Sequence, residues 1–198
     1  MIKLIIFDAY GVTLTGGYPD TCKYLGKRFH RGWREVYSIL YTKYFNQAAL
    51  KKITQQKAWE LAIKELGLPL SVQAIKDIHY RLMGVNKKVL RVAERLKKKY
   101  DILILSKNTR GQFKDISKRF PSLRKVFGKN IINTWEYDLP KASKEAMQMV
   151  LDRFNVKPVE TVFIDDQEQI LQAGKEMGVH TVLYKNFEQF KKDLFTHL

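Results

Sequence analysis

The chain has 198 residues, enough for one substantial α/β domain and a small second module. Its 45% hydrophobic and 28% charged residues exclude a fibrous or largely disordered protein. A formal charge of +16 attracts polyanions at low salt, but no helix-turn-helix pattern, zinc spacing or aromatic RNA-recognition signature accompanies it. The excess charge therefore reads first as a solvated lysine-rich surface and second as a preference for small anionic molecules, with no specific nucleic-acid partner expected.

The first element is an apolar run, Lys3 to Phe7, that fits a buried strand and ends at Asp8. It is too short for a signal-peptide core or a membrane span, and a cytoplasmic protein with no membrane partner is expected. About ninety residues separate it from the next strand, too many for a single crossover, and they show no strand-like alternation. A helical insertion is expected here. Gly16, Gly17 and Pro19 open it as a hinge or flap. Cys22, the only cysteine, has no partner for a disulfide and reads as a small packed side chain. Trp59, Ala62, Ile63 and Leu66 form a helical stripe closed by Gly67 and Pro69, and Val89, Val92, Ala93 and Leu96 mark a later helix.

Four further strands are expected at Asp101 to Leu105, Asn130 to Thr134, Thr161 to Ile164 and His180 to Tyr184. Between the later ones lie helical stripes. One follows the N-cap candidate Ser143 through Met147, Val150, Leu151 and Phe154; another runs through Ile170, Ala173, Gly174 and Met177 and ends at Gly178. This alternation predicts an α/β fold with a doubly wound, five-stranded parallel sheet covered on both faces. Ligands of such sheets bind beyond the carboxyl ends of the strands, where this chain carries Asp8, Ser106 and the pair Asp165, Asp166. Clustered carboxylates repel unless a cation lies among them, so a divalent metal and a lysine are the natural complements.

The order Asp8, Ser106, Lys141, Asp165-Asp166 resembles the four motifs of the haloacid-dehalogenase-like (HAD) hydrolases across almost the whole chain. IIFDAYGV is similar to the first motif, ILILSKN to the second, PKASKEAMQMVL to the third and VFIDDQEQILQAGKEMGV to the fourth. The insertion sits where many members carry a cap, and ITQQKAWELAIKELGL resembles one of its helices. The resemblance implies a Rossmann-like core over 1–15 and 88–198 with a small α-helical cap over 16–87. It further implies Asp8 as nucleophile and an aspartyl-phosphate intermediate. Ser106 and Lys141 would contact the phosphoryl group, with Asn108 as a further substrate contact; Lys107 reads as a solvated loop lysine or as a second phosphate contact. Mg2+ would be held by Asp8, the carbonyl of residue 10 (Tyr10), Asp166 and Asp165, the last directly or through water.

The departures from that pattern matter. Phosphatases of this superfamily usually carry a general-acid aspartate two residues after the nucleophile, and this chain has Tyr10. General acid–base assistance is worth about 10²- to 10⁴-fold, so a slow enzyme, or one preferring leaving groups that need no proton, is expected. FDAYG also resembles the first motif of 2-haloacid dehalogenases, which work without metal; the retained Asp165-Asp166 pair favours metal and phosphate. Lys107 separates Ser106 from Asn108 where the family often has Ser-Asn adjacent, and Gln169 stands where asparagine is common. The leading expectation is a Mg2+-dependent phosphate monoester hydrolase acting on a small anionic substrate. A 2-haloacid dehalogenase and a catalytically silent binding or regulatory module are the alternatives. The segment from Lys23 to Tyr44, with Arg28, Arg31, Trp33 and Arg34, is basic and aromatic; it suits cap packing with arginines on the outer face, or contact with a nucleotide or sugar phosphate.

Overall fold

The computed structural model describes residues 1–198. Strand β1, Leu4–Asp8, is buried along its whole length, and a tight turn leads to the two-residue strand β2, Leu14–Thr15. Helices follow: α1 (Tyr18–Arg28), α2 (Trp33–Tyr37), a π-helical turn over Ser38–Phe45, α3 (Asn46–Ala49), α4 (Gln55–Glu65) and α5 (Val72–Arg81). The chain returns through β3, Gly84–Val85, to α6, Lys87–Leu96. It then alternates: β4 (Asp101–Ser106), α7 (Arg110–Arg119), α8 (Pro121–Phe127), β5 (Ile131–Asn133), α9 (Lys144–Phe154), β6 (Thr161–Asp165), α10 (Glu168–Glu176), β7 (His180–Leu183) and α11 (Phe187–Phe195).

Strands β1, β4, β5, β6 and β7 form one parallel sheet in the order β5-β4-β1-β6-β7. Both faces are covered, which is why the strands read as unbroken apolar runs. Leu4, Ile6, Leu103, Leu105 and Phe163 share one core with Met147, Val150 and Leu151 of α9 and Leu171 of α10. On the opposite face, Phe7 meets Phe127 of α8 edge-on at 5.6 Å, and α6 and α8 pack on β4 and on each other. Truncating a fully buried leucine such as Leu103 to alanine costs about 2–5 kcal/mol by lost transfer energy and cavity formation.

Local chemistry fixes the helix ends. The Ser143 hydroxyl accepts from Ala146 N at 3.1 Å to start α9, and Thr54, Ser71, Asn86 and Asn186 cap α4, α5, α6 and α11 in the same way. After α10, Gly178 takes φ +88°, which lets Val179 N reach back to Gly174 O at 2.9 Å. The apolar stripe of that helix centres on Leu171 and Gly174, while Ile170, Ala173 and Met177 are half-buried.

Two compact units emerge. One comprises Met1–Thr15, Val85–Asn108 and Ser117–Leu198; the other comprises Gly16–Gly84 and Thr109–Ile116. The helical unit is thus built from two stretches of chain, where the sequence points to the single stretch 16–87. Hydrogen bonds tie the second stretch in: Thr109 Oγ1 donates to Gln55 Oε1 at 2.9 Å, and Tyr80 donates to Asp115 at 3.0 Å. Residues 85–87 instead belong with the sheet, where Asn86 N donates to Thr13 O at 2.9 Å. Between β1 and β4, where the sequence shows no strand-like alternation, the structure adds β2 and β3, two residues each and too short to show it. The π-helical turn over Ser38–Phe45 likewise leaves no sequence signature.

The core of the helical unit gathers Tyr18, Cys22, Leu25, Trp59, Ala62, Leu66 and Ile75, with Tyr24, Tyr37, Tyr41 and Tyr44 partly buried against it. Burial pushes the Cys22 thiol up to about 12, leaving it inert. Arg28 donates to the Tyr24 hydroxyl at 2.9 Å, and Lys23 and Arg34 lie over the ring of Trp33. No helix is long and apolar enough to cross a membrane.

Candidate active site

Parallel register carries three polar residues to one level at the carboxyl edge of the sheet: Asp8 pairs with Leu105 beside Ser106, and Phe7 with Ile164 beside Asp165. Asp8 is buried, and the turn behind it is closed by its own backbone. Leu14 N donates to Ala9 O at 2.7 Å and Gly11 N to Leu14 O at 3.0 Å. The buried Thr13 hydroxyl lies 2.9 Å from Asp8 O and 3.0 Å from Ala9 O. Tyr10 sits half-buried in this turn, bridged to Leu14.

Lys141 arrives from the turn after Pro140 and is itself buried. Its ammonium donates to Asp8 Oδ1 and, at 2.6 Å, to Asp165 Oδ2. The other Asp165 oxygen accepts from Gln167 N at 2.9 Å, which fixes the turn entering α10. Asp166 stands partly exposed beside Gly11, so close that a Cβ there would lie 2.1 Å from Asp166 Oδ2. Gly11 has φ +83°, a backbone conformation that favours glycine, and a side chain there would also push the Asp166 carboxylate aside.

One oxygen from each of Asp8, Asp165 and Asp166 lies within 4.8 Å of the others. Burial raises Asp8 to about 7; Lys141 opposes this, while Asp165 and Asp166 add to it. Burial and the neighbouring Asp165 also raise Asp166. With all three ionised, the carboxylates against one ammonium leave two negative charges, the complement of one divalent cation; the raised Asp8 and Asp166 reflect burial together with that excess, and an all-oxygen donor set suits a hard ion.

The loop after β4 completes the arrangement. Ser106 and Asn108 are buried and Lys107 is exposed; the Asn108 amide donates to Ser106 Oγ. Asn133, at the end of β5, grips the backbone of Asn108 twice: Asn108 N donates to its Oδ1 at 2.8 Å, and its Nδ2 donates to Asn108 O at 2.7 Å. Sequence reading gives no sign of Asn133, Thr13 or the Gly11–Asp166 approach; for the last, the glycine three residues beyond the strand-end Asp8 is the one feature that could have pointed to it.

These features agree with the comparisons. The family model for haloacid dehalogenase-like hydrolases matches residues 2–178, while no curated protein matches the chain. Among solved structures, a HAD family enzyme of Bacteroides thetaiotaomicron, BT-2542, in complex with magnesium and inorganic phosphate, is similar at TM-score 0.75 and 22% identity over 93% of this chain and 95% of that one. A predicted HAD-like family hydrolase from Porphyromonas gingivalis aligns at TM-score 0.77 and 20% identity, over 99% and 97% of the two chains. L-2-haloacid dehalogenase from Xanthobacter autotrophicus, with chloropropionic acid covalently bound, aligns at TM-score 0.67 and 16% identity, over 99% and 83%. At such identities the structural likeness speaks for the fold, whereas the family model spans most of the sequence. With a parallel sheet that brings Asp8, Lys141, Asp165 and Asp166 to one edge, the chain belongs to the haloacid dehalogenase-like hydrolase family.

Proposed function

We propose that this hydrolase is a Mg2+-dependent phosphate monoesterase with Asp8 as its nucleophile and the helical unit as its cap. The observation that carries the reading is the cluster of three carboxyl groups around a single ammonium, which when ionised leaves two negative charges for a cation to balance. Asp8, Asp166 and the carbonyl of Tyr10 would hold the ion, with Asp165 directly or through water, and the ion when bound supplies charge neutralisation for the phosphoryl oxygens.

In this reading a carboxylate oxygen of Asp8 attacks phosphorus, and the bond from phosphorus to the ester oxygen breaks. Lys141 stays protonated, since both partner carboxylates raise its affinity for the proton against the effect of burial; it offsets charge on the phosphoryl group. The Ser106 hydroxyl donates to a phosphoryl oxygen, with Asn108 fixing its rotamer and Lys107 adding positive charge at the entrance. Tyr10 stands where a carboxylic acid commonly serves, so the departing alkoxide takes its proton from solvent. Water then attacks phosphorus of the aspartyl-phosphate, releasing inorganic phosphate and Asp8. Leaving groups that are stable as anions should be favoured by at least tenfold in kcat.

The test is phosphate release from p-nitrophenyl phosphate with Mg2+, with EDTA, and with Asp8→Asn. Mg2+-dependent release that vanishes in Asp8→Asn is expected; equal release from both proteins would sink the reading. Tyr10 supports a second reading, metal-independent dehalogenation of a short 2-haloacid by the same nucleophile, in which the departing halide needs no proton. Halide release from 2-chloropropionate in EDTA, without phosphatase activity, would establish it instead.

A further inference from the structure

The positive charge of this protein is concentrated. Segments 87–99 and 118–129, 25 residues in all, hold twelve lysines and arginines against one acid, Glu94, and so carry eleven of the chain's sixteen net charges. All twelve side chains are exposed. None forms an ion pair. The two segments lie together, because α6 and α8 pack on the same strand, β4, and on each other, and Lys97 Nζ reaches the carbonyls of Lys125 and Val126 at 3.3 and 3.4 Å. Two helices in one layer turn their outer faces to the same side. Along α6 the face repeats at Lys87, Arg91 and Arg95, four residues and about 6 Å apart.

A surface of this kind costs stability through self-repulsion, and a scattered arrangement would serve solubility as well. We infer that the outer face of α6 and α8 is a sequence-independent binding surface for the phosphate backbone of double-stranded nucleic acid. The chemistry favours that partner over the other polyanions. The face has no exposed large apolar side chain: those of the molecule are Met1, Trp33, Leu50, Tyr137, Val159 and Phe195, all outside these segments. It therefore lacks the wedge that anchors a helix in a membrane interface and the aromatic platform on which single-stranded bases stack. Rows of cations alone match a duplex, which presents one negative charge per about 1.7 Å of axis and releases counterions when these are neutralised. The surface uses none of the residues around Asp8 and needs no metal.

The experiment is fluorescence anisotropy of a labelled 20-base-pair DNA duplex with the full chain in EDTA, between 50 and 200 mM NaCl. Binding should weaken steeply with salt and should not differ between duplexes of unrelated sequence. Arg91→Glu/Arg95→Glu/Arg124→Glu should lower affinity at least tenfold at 100 mM NaCl and flatten the salt slope by about 3, since each lost phosphate contact removes about 0.9. Lys27→Glu/Lys52→Glu/Lys64→Glu, which changes net charge equally from elsewhere on the surface, should lower affinity less than threefold. Equal losses in both variants would mean that only the overall field acts, and would overturn the site. So would binding to phosphatidylserine vesicles without binding to duplex, or a sequence preference above tenfold. Circular dichroism and melting verify folding, and the milder triple Arg→Gln variant reads the same slope if charge reversal unfolds the chain.

Discussion

Asn133 shows how much one side chain can fix. Its carboxamide pairs with both the N–H and the C=O of Asn108, in a place where neither group has water to fall back on. Removing one partner from a buried pair costs about 1–3 kcal/mol, so Asn133→Ala should lose about 2–4 kcal/mol in urea unfolding. It should also reduce kcat for p-nitrophenyl phosphate more than it raises KM, because Ser106 depends on Asn108 for its orientation. Unchanged unfolding would show that the loop holds itself. Gly11 makes a sharper case. Gly11→Ala places a methyl group 2.1 Å from Asp166 Oδ2 on a backbone at φ +83°. The Mg2+ concentration that half-saturates activity should rise at least tenfold, and an unchanged value would remove Asp166 from the ion's ligands. Asp8, Ser106 and the Asp165-Asp166 pair are legible in the sequence because each ends an apolar run, and a polar residue there faces the edge where such sheets bind ligands. Asn133 is not legible, because an asparagine closing a three-residue strand looks like any turn residue.

Helix caps and one buried histidine set the stability of individual elements. Ser143→Ala removes the N-cap of α9 and should cost about 1 kcal/mol. His79 of α5 is fully buried among Tyr18, Trp59 and Tyr80. The Thr21 hydroxyl donates to Gly17 O and therefore accepts from His79 Nδ1 at 2.9 Å, which specifies the neutral Nδ1–H tautomer. Burial lowers its proton affinity from 6.5 to about 3. The unfolded chain then binds a proton that the folded one refuses, so stability falls with pH from about 6.5 down to about 3. The loss should approach about 2–3 kcal/mol at pH 4.5, and thermal melts at pH 7 and 4.5 of wild type and His79→Gln measure it; equal acid sensitivity of both would assign it elsewhere. Sequence periodicity finds α4 and α9, which present regular apolar stripes, but not α5, which carries His79. It misses β2, β3 and the π-helical turn, whose lengths lie below the two or three periods a pattern needs.

For the molecule as a whole, two levels of charge organisation coexist: an acidic edge of the sheet and a basic outer helix layer. If the acidic edge holds Mg2+, the ion stabilises the folded chain by mass action, by about 2.7 kcal/mol at a hundredfold excess over Kd. In a protein of this size that should raise Tm by about 5–10 °C, and Asp166→Asn should abolish most of the rise. A melting temperature indifferent to Mg2+ would exclude a folded-state metal site. Net charge was legible from composition, but its concentration around α6 and α8 was not, because two segments separated by residues 100–117 become one surface only when both helices pack on β4.

The two-stretch construction of the helical unit has a consequence for engineering and for descent. A cassette is a segment that can be cut out at two points and replaced, and this unit is not one. Excising 16–84 would leave Thr109–Ile116 behind, with Gln112 and Ile116 stripped of the surroundings that bury them and Asp115 deprived of Lys76 and Tyr80. Any exchange of this unit for another must recode the eight residues after Asn108 at the same time. The loop that carries Ser106 and the helical unit are therefore bound to change together.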